Sequence, residues 1–356
     1  MNQLSRPDKI LIVKLSAIGD VIHALPTARV LRQNYPEAEI SWIVEDKAKD
    51  MVLGNPHLDE VIILPKGKWK EEFKEDKWRT LKEVKNFFKG LREKRIDLAI
   101  DLQGLFKSGI ITYLSGAKRR VGYSDGREGS TLFYNKKVEP REGEIPVVDR
   151  YLELIEAVGA EVNEVKFDIE VNENEKDRVD KLLGSLPSSQ QKKLVGINPF
   201  TSWSSKNWPK EKYAKLAERL VRELDLQVLF TGGSGDREGI DNILEMMEEP
   251  AYNLAGKTSL KELAELYSRI DIFVGGDTGP MHLAVAQEVP VVAIMGPTTP
   301  ERNGPYGEGH VVIQKDLECK NCWQRVCDRD LACMKDIEVE EVLSAIKGLI
   351  GVGSDE

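Results

Sequence analysis

Short runs of aliphatic and β-branched residues, each followed by a helical pattern, recur along this chain, and no other feature constrains its fold as strongly. KILIVKL (9–15) leads into a helix from about Val21 to Asn34, and EISWIVE (39–45) and EVIILP (60–65) read as further strands. One long helical stretch is expected from Trp69 to Lys94, followed by the strand DLAIDLQ (97–103). Strands that are apolar throughout, separated by helices, predict a parallel sheet covered on both faces. The rhythm weakens between Glu161 and Lys193, where VNENEKDRVDKLLGSLPSSQQKK reads as a helix plus a linker. It restarts with LVGINP (194–199), LQVLFTGG (226–233), IDIFVGGD (270–277), VPVVAIMG (289–296) and HVVIQ (310–314), and a helix from about Val339 to Ile350 closes the chain. At about 150 residues per domain, 356 residues make two domains. The expectation is α/β: two doubly wound domains with parallel sheets facing a central cleft. Their bounds are 1–170 and 194–335, with a linker at 171–193 and a terminal helix and tail at 336–356.

No run of eighteen apolar residues occurs, and ILIV near the N-terminus is interrupted by Lys14 without a small-residue cleavage site. This predicts neither a membrane-spanning helix nor a signal peptide. All four cysteines fall between 319 and 333, leaving the rest of the chain free of them, as suits a reducing cytoplasm.

Open α/β sheets bind ligands beyond the carboxyl ends of their strands, so the chemistry is expected in the loops there. After the first strand comes Leu15-Ser16-Ala17-Ile18-Gly19-Asp20, where neither G-x-G-x-x-G nor G-x-x-x-x-G-K-[ST] is present. A carboxylate stands at the helix start instead and would repel a phosphate. Asp20 reads either as a helix cap or as a general base pointing into the cleft. In the second half, Gly275-Gly276-Asp277-Thr278-Gly279-Pro280-Met281-His282 sets a glycine-rich turn before an apolar helix. Backbone amides there suit a diphosphate, or the segment is an ordinary strand-to-helix turn with His282 in the core. Thr201-Ser202-Trp203-Ser204-Ser205-Lys206 offers hydroxyls and a cation to phosphate oxygens, or is a solvated loop. After the next strand, Glu238 is a candidate for ribose hydroxyls, with Asp236 competing.

KLSAIGDVIHALP (14–26), Lys206-Asn207-Trp208-Pro209 and VGGDTGPMHLA (274–284), in that order, resemble the ADP-heptose:lipopolysaccharide heptosyltransferases of glycosyltransferase family nine. DLQGLFKSG (101–109), GYSDGREGSTLFYNKK (122–137) and GPTTPERNGPYG (296–307) extend the likeness over nearly the whole chain. SWIVED (41–46) and REGSTLFYNKK look closer to heptosyltransferase I than to II. The resemblance implies a GT-B fold and an inverting, metal-independent, cofactor-free transfer of heptose from ADP-heptose to a Kdo residue of the lipopolysaccharide inner core, on Kdo-lipid A, at the cytoplasmic face of the inner membrane. It implies Asp20 as base, with Thr201, Ser202, Lys206, Asp277, Thr278, Gly279 and His282 as donor-binding residues. Asp277 would reach the heptose hydroxyls, Glu238 the ribose, and Arg127 the acceptor. Heptosyltransferase II-like transfer and a nucleotide-sugar epimerase of the same architecture remain alternatives. A non-enzymatic nucleotide-binding regulator gives Asp20 no task, and a dinucleotide dehydrogenase lacks its glycine fingerprint.

The net charge of −9 argues against a nucleic-acid partner. Locally the balance reverses: Lys66 to Arg95 holds twelve Lys/Arg against six Asp/Glu, a net +6. Lys66, Lys68 and Lys70, beside Trp69, are expected to face the anionic acceptor and membrane surface. Cys319-x2-Cys322-x4-Cys327-x5-Cys333 is spaced for zinc or an iron–sulfur cluster, for disulfides, or for free thiols.

Overall fold

The apolar runs form parallel strands in the computed structural model, which describes residues 6–187 and 192–351. The first half contains β1 (Lys9–Val13), α1 (Ile18–Asn34), β2 (Glu39–Glu45), β3 (Glu60–Leu64), α2 (Lys66–Glu75), α3 (Lys77–Glu93), β4 (Leu98–Asp101), α4 (Phe106–Leu114), β5 (Arg119–Tyr123), β6 (Lys136–Val138) and α5 (Val147–Glu156). Its six strands pair in the order β3-β2-β1-β4-β5-β6, every neighbour parallel. Chain order reverses between β1 and β4, which opens a crevice at their carboxyl ends.

The second half contains α6 (Glu173–Gly184), β7 (Leu194–Asn198), α7 (Lys210–Leu224), β8 (Gln227–Phe230), α8 (Arg237–Leu244), β9 (Tyr252–Asn253), α9 (Leu260–Tyr267), β10 (Ile272–Gly276), α10 (Gly279–Ala286), β11 (Val291–Ile294), α11 (Pro300–Asn303), β12 (Val311–Ile313), α12 (Ala332–Lys335) and α13 (Val339–Ile350). Its sheet runs β12-β11-β10-β7-β8-β9, again wholly parallel. Counted from the first strand of each half, the two orders are identical. The matching reversal lies between β7 and β10.

Ile10, Leu11, Ile12 and Val13 of β1 have no exposed surface, because a central strand has helices on both faces. Each such side chain contributes about 1.5–3 kcal/mol through burial. Trp208 is likewise core: its ring meets Tyr213 edge-on at 4.9 Å and its Nε1 donates to the Ile337 carbonyl at 3.0 Å.

The chain parts into two units between Glu170 and Val171. Residues 171–184 are held to the second unit, where Arg178 pairs with Glu262 at 2.9 Å and Asp180 with Arg269. Of the expected linker, residues 188–191 lie outside the described residues. The single helix expected over Trp69–Lys94 is two helices. Asp76 adopts an extended conformation (φ −142°, ψ 96°) and its carboxylate accepts the Arg79 amide at 3.0 Å, so it ends α2 and caps α3. Among the described residues no helix is long and apolar enough to cross a membrane.

Candidate active site

In the first half the crevice between β1 and β4 is lined by the loops that follow them. Lys14 continues β1 into the interior at 2% exposure, and its Nζ donates to the Tyr151 hydroxyl at 2.6 Å and the Leu102 carbonyl at 3.5 Å. Gln103, after β4, accepts the Leu15 and Ser16 amides through Oε1, both at 3.2 Å, and so fixes the path into α1. Asp20 sits in the first turn of α1. Its Oδ2 accepts the Ala17 amide at 3.1 Å and lies 4.0 Å from the Lys14 ammonium, while the side chain remains 43% exposed. It therefore caps the helix and still presents a carboxylate to solvent, so the two readings of Asp20 are compatible.

Lys14 is the sole buried Lys or Arg among the described residues. Desolvation pushes its ammonium below the ordinary lysine value, the fields of Asp20 and Asp101 act upward, and those of Lys107 and Arg127 act downward. Asp101 is committed elsewhere: it accepts the Gln103 and Gly104 amides at 2.9 and 3.1 Å and the Tyr134 hydroxyl at 2.7 Å. Burial pushes its carboxyl above the usual range against those hydrogen bonds. That leaves Asp20 as the accessible counter-charge to Lys14.

The expected acceptor cations divide. Lys66 pairs with Glu45 at 3.3 Å, and Glu45 also holds Lys107 at 3.0 Å, whose Nζ reaches Ser16 Oγ at 3.1 Å. Lys66 is thereby linked to the Asp20 loop. Lys68 turns back onto Glu72 and Glu83 of its own helical hairpin at 3.5 and 3.3 Å. Lys70 is exposed. Arg127 is exposed as well, its amide anchored to the Gly104 carbonyl at 2.9 Å beside the β4 loop.

In the second half, the crevice between β7 and β10 holds a tight cluster. Lys206 Nζ lies 2.6 Å from Asp277 Oδ2 and 4.4 Å from the Trp203 ring centre. The same Oδ2 accepts from Thr298 Oγ1 at 2.8 Å, and Oδ1 stands 3.5 Å from His282 Nε2. Burial alone would push the Asp277 carboxyl up, but His282 and Lys206 outweigh it and hold it far below the usual carboxylate range. Thr278 is the N-cap of α10, with Gly279 and Pro280 in its first turn, so α10 offers amides and the positive end of its dipole beside this cluster. The approach is close: a Cβ on Gly276 would stand 3.3 Å from the Lys206 carbonyl, tight enough that the loop would have to give by a few tenths of an ångström.

The remaining donor candidates are less alike. Thr201 uses its hydroxyl within its own turn, donating to the Trp203 carbonyl at 2.8 Å, whereas Ser202 is exposed. Asp236 accepts the Gly233 amide at 2.8 Å, which leaves Glu238, exposed in the first turn of α8, as the freer acid of that loop. Sequence reasoning passed over Lys14, Gln103, Lys107 and Thr298. Lys14 carried a signal, a lysine inside an apolar strand run. Thr298 carried none beyond its place in GPTTPERNGPYG.

The four cysteines are free thiols, and among the described residues no three Cys, His, Asp or Glu side chains gather as a metal-ligand set. Their segment has a mechanical role. Ser204 and Ser205 donate to the Arg325 and Gln324 carbonyls at 3.3 and 2.6 Å, so the loop carrying Lys206 rests on the segment between Cys322 and Cys327.

Residues 84–332 match the family described as glycosyltransferase family 9 (heptosyltransferase). The chain belongs to glycosyltransferase family 9. It is 28% identical over 323 residues to lipopolysaccharide heptosyltransferase 1 of Pseudomonas aeruginosa, covering 90% of this chain and 87% of that protein. It is 29% identical over 320 residues to lipopolysaccharide heptosyltransferase 2 of Salmonella typhimurium, covering 86% and 88%. The crystal structure of a family 9 glycosyl transferase from Veillonella parvula superposes with a TM-score of 0.85 at 25% identity, over 96% of this chain and 97% of that one. The chain has two Rossmann-like domains of the GT-B fold; its strand pattern predicts the two doubly wound domains, and the resemblance implies the GT-B fold.

Proposed function

We propose that this family 9 glycosyltransferase moves heptose from ADP-heptose to a Kdo residue of the lipopolysaccharide inner core, with inversion, at the cytoplasmic face of the inner membrane. The observation that carries the reading is a contrast in carboxylates. Asp20 keeps an accessible carboxylate that can accept a hydroxyl proton, whereas Asp277 is saturated by Lys206, Thr298 and His282. Asp20 acts as general base on the acceptor hydroxyl as that oxygen attacks the anomeric carbon. Negative charge then builds on the ADP leaving group. Lys206 and the first-turn amides of α10 meet that charge, a preorganised electrostatic role that requires no metal ion. Asp277, itself buried and paired, holds Lys206 in place for that contact. Ser202 and Glu238 reach the phosphate and ribose, while Arg127, Lys66 and Lys70 meet the anionic acceptor.

Relatives named heptosyltransferase 1 and 2 stand at 28% and 29% identity, so transfer to the first heptose is the second reading. The deciding experiment incubates the protein and ADP-heptose, in the presence of a chelator, with Kdo-lipid A or with heptosyl-Kdo-lipid A, and follows ADP release and product mass. Acceptor-dependent ADP release with a single heptose added to Kdo-lipid A is expected. Product only from the heptosylated acceptor selects the second reading, and donor conversion without acceptor selects epimerisation.

A further inference from the structure

We propose that the hairpin of α2 and α3 is a docking surface for a membrane containing anionic lipid. Ten large apolar side chains are exposed among the described residues, and three of them, Phe73 (43%), Trp78 (84%) and Leu81 (49%), fall within nine positions of this hairpin. Their placement is ordered. Trp78, Leu81, Lys82 and Lys85 recur at i, i+3, i+4 and i+7, the spacing of one helix face, and Lys70, Phe73 and Lys74 repeat it on α2. The stripes adjoin at the turn, where Lys77 Nζ lies 5.9 Å from the Phe73 ring centre. Core packing is served by other residues: Leu91 belongs to the core, and Trp69, Phe87 and Phe88 pack against it.

The cations sort in the same way. Lys66, Lys68 and Arg79 are tied to Glu45, Glu72 and Glu83. Lys70, Lys74, Lys77, Lys82 and Lys85, which flank the apolar stripe, form no ion pair among the described residues. Glu71 and Glu75 repeat at i and i+4 on a neighbouring face of α2. Of the three lysines that the sequence singles out, only Lys70 joins this face; Lys66 and Lys68 are paired, and the rest of the face lies further along the hairpin.

The occupant follows from this chemistry. Three apolar groups, each among lysines with long aliphatic stems, fit shallow insertion at the headgroup level, with tryptophan at the interface and ammonium groups extended to lipid phosphates. A second copy of the hairpin would present like charge to it, whereas an anionic bilayer complements a net +6 segment on a chain of net −9. The surface is reached without the transfer reaction, so it is tested without donor or acceptor.

The test is sedimentation of the full chain with vesicles of phosphatidylglycerol and phosphatidylethanolamine, against vesicles of phosphatidylcholine alone. Binding to the first only, weakened by added salt, is expected. Trp78→Ser with Leu81→Ser, and separately Lys82→Glu with Lys85→Glu, should each lower partitioning by about tenfold or more. Both pairs are solvent-exposed, so unchanged thermal melting and unchanged ADP binding establish that these variants are folded. Equal binding to both vesicle types, no binding to the anionic ones, or binding unmoved by either pair overturns the proposal. So does a concentration-dependent dimer that the Trp78 and Leu81 changes abolish, since the face would then cover a second copy. Asp20→Asn should bind vesicles as the parent does, which separates failure of this proposal from failure of the catalytic reading.

Discussion

The two halves share one strand order and place a lysine–carboxylate pair at the same point of it, yet the pairs are set in opposite ways. In the second half Lys206 and Asp277 touch at 2.6 Å with 12% and 6% of their side chains exposed, and Thr298 and His282 take up most of the remaining carboxylate capacity. In the first half the lysine is the buried partner, and Asp20 stands 4.0 Å away with 43% of its side chain in solvent. A saturated carboxylate fixes a cation; one restrained by a single amide and a distant charge can still take a proton. The fold supplies the location, and the number of partners on the carboxylate decides what the location can do.

Asp20→Asn should have the largest effect. It keeps a side-chain oxygen for the Ala17 amide while removing the proposed base, so kcat should fall by about 10²–10⁴-fold, the usual contribution of general-base catalysis. Melting temperature and ADP affinity should hardly change, because the carboxylate is exposed and lies in the other half of the chain. Acceptor-dependent ADP release with calorimetric ADP binding reads both quantities; substantial turnover in the variant would assign the proton to another group. Lys206→Ala should reverse the pattern. It strips a buried carboxylate of its cation, which costs about 3–5 kcal/mol of stability when a buried pair is broken from one side. Loss of donor affinity should accompany the lower melting temperature. A Lys206→Ala protein with the parent's melting point and donor KM would mean that the pair is neither structural nor donor-facing.

A third variant sharpens the comparison from the first half. Lys14→Met removes an ammonium that is expensive to bury and leaves Asp20 still capping α1, so the fold should melt no lower than the parent. If the buried charge holds the base in position, kcat should drop about tenfold, equivalent to roughly 1.4 kcal/mol, with the donor KM unmoved. Unchanged kcat would reduce Lys14 to a packing residue.

The order in which these features become visible along the chain has a physical basis. Central strands such as KILIV and EISWIVE are legible because burial on both faces demands unbroken apolar runs. Edge strands escape that demand: β6 is Lys136–Val138 and β9 only Tyr252–Asn253, too short and too polar to stand out. Asp277 and His282 stand out because a glycine-rich strand end draws attention to them, Asp20 because a carboxylate stands at a helix start that lacks a glycine phosphate motif, and Lys206 because it is the one cation of a hydroxyl-rich loop. Which carboxylate would be saturated was not legible, since Thr298 lies 21 residues beyond Asp277 and reaches it only once β11 has paired with β10. The break at Asp76 was missed for a related reason. A lone aspartate in a charged amphipathic stretch reads as one more solvent-facing residue until its carboxylate is seen on the Arg79 amide.

The smallest expected effect concerns acid, where the halves carry buried carboxyls shifted in opposite directions. The Asp277 carboxyl is held below the usual range because His282 and Lys206 outweigh burial. Its contribution to stability is therefore complete above the unfolded value of about 3.9 and is lost as pH falls through that value toward the folded one. The Asp101 carboxyl is raised by burial, so its contribution runs the other way: present below the unfolded value and lost as pH rises through the folded one. Acidification from about pH 5 should then weaken the second half while Asp101 adds no matching loss in the first. Hydrogen exchange followed separately for peptides of the two sheets, as pH is lowered, reads this directly. The amides of β7 and β10 should lose protection before those of β1 and β4, and Asp277→Asn should narrow the gap by an amount on the order of 1 kcal/mol. Simultaneous loss in both sheets, unaltered by Asp277→Asn, would mean that the saturated cluster does not set the acid stability of its own domain.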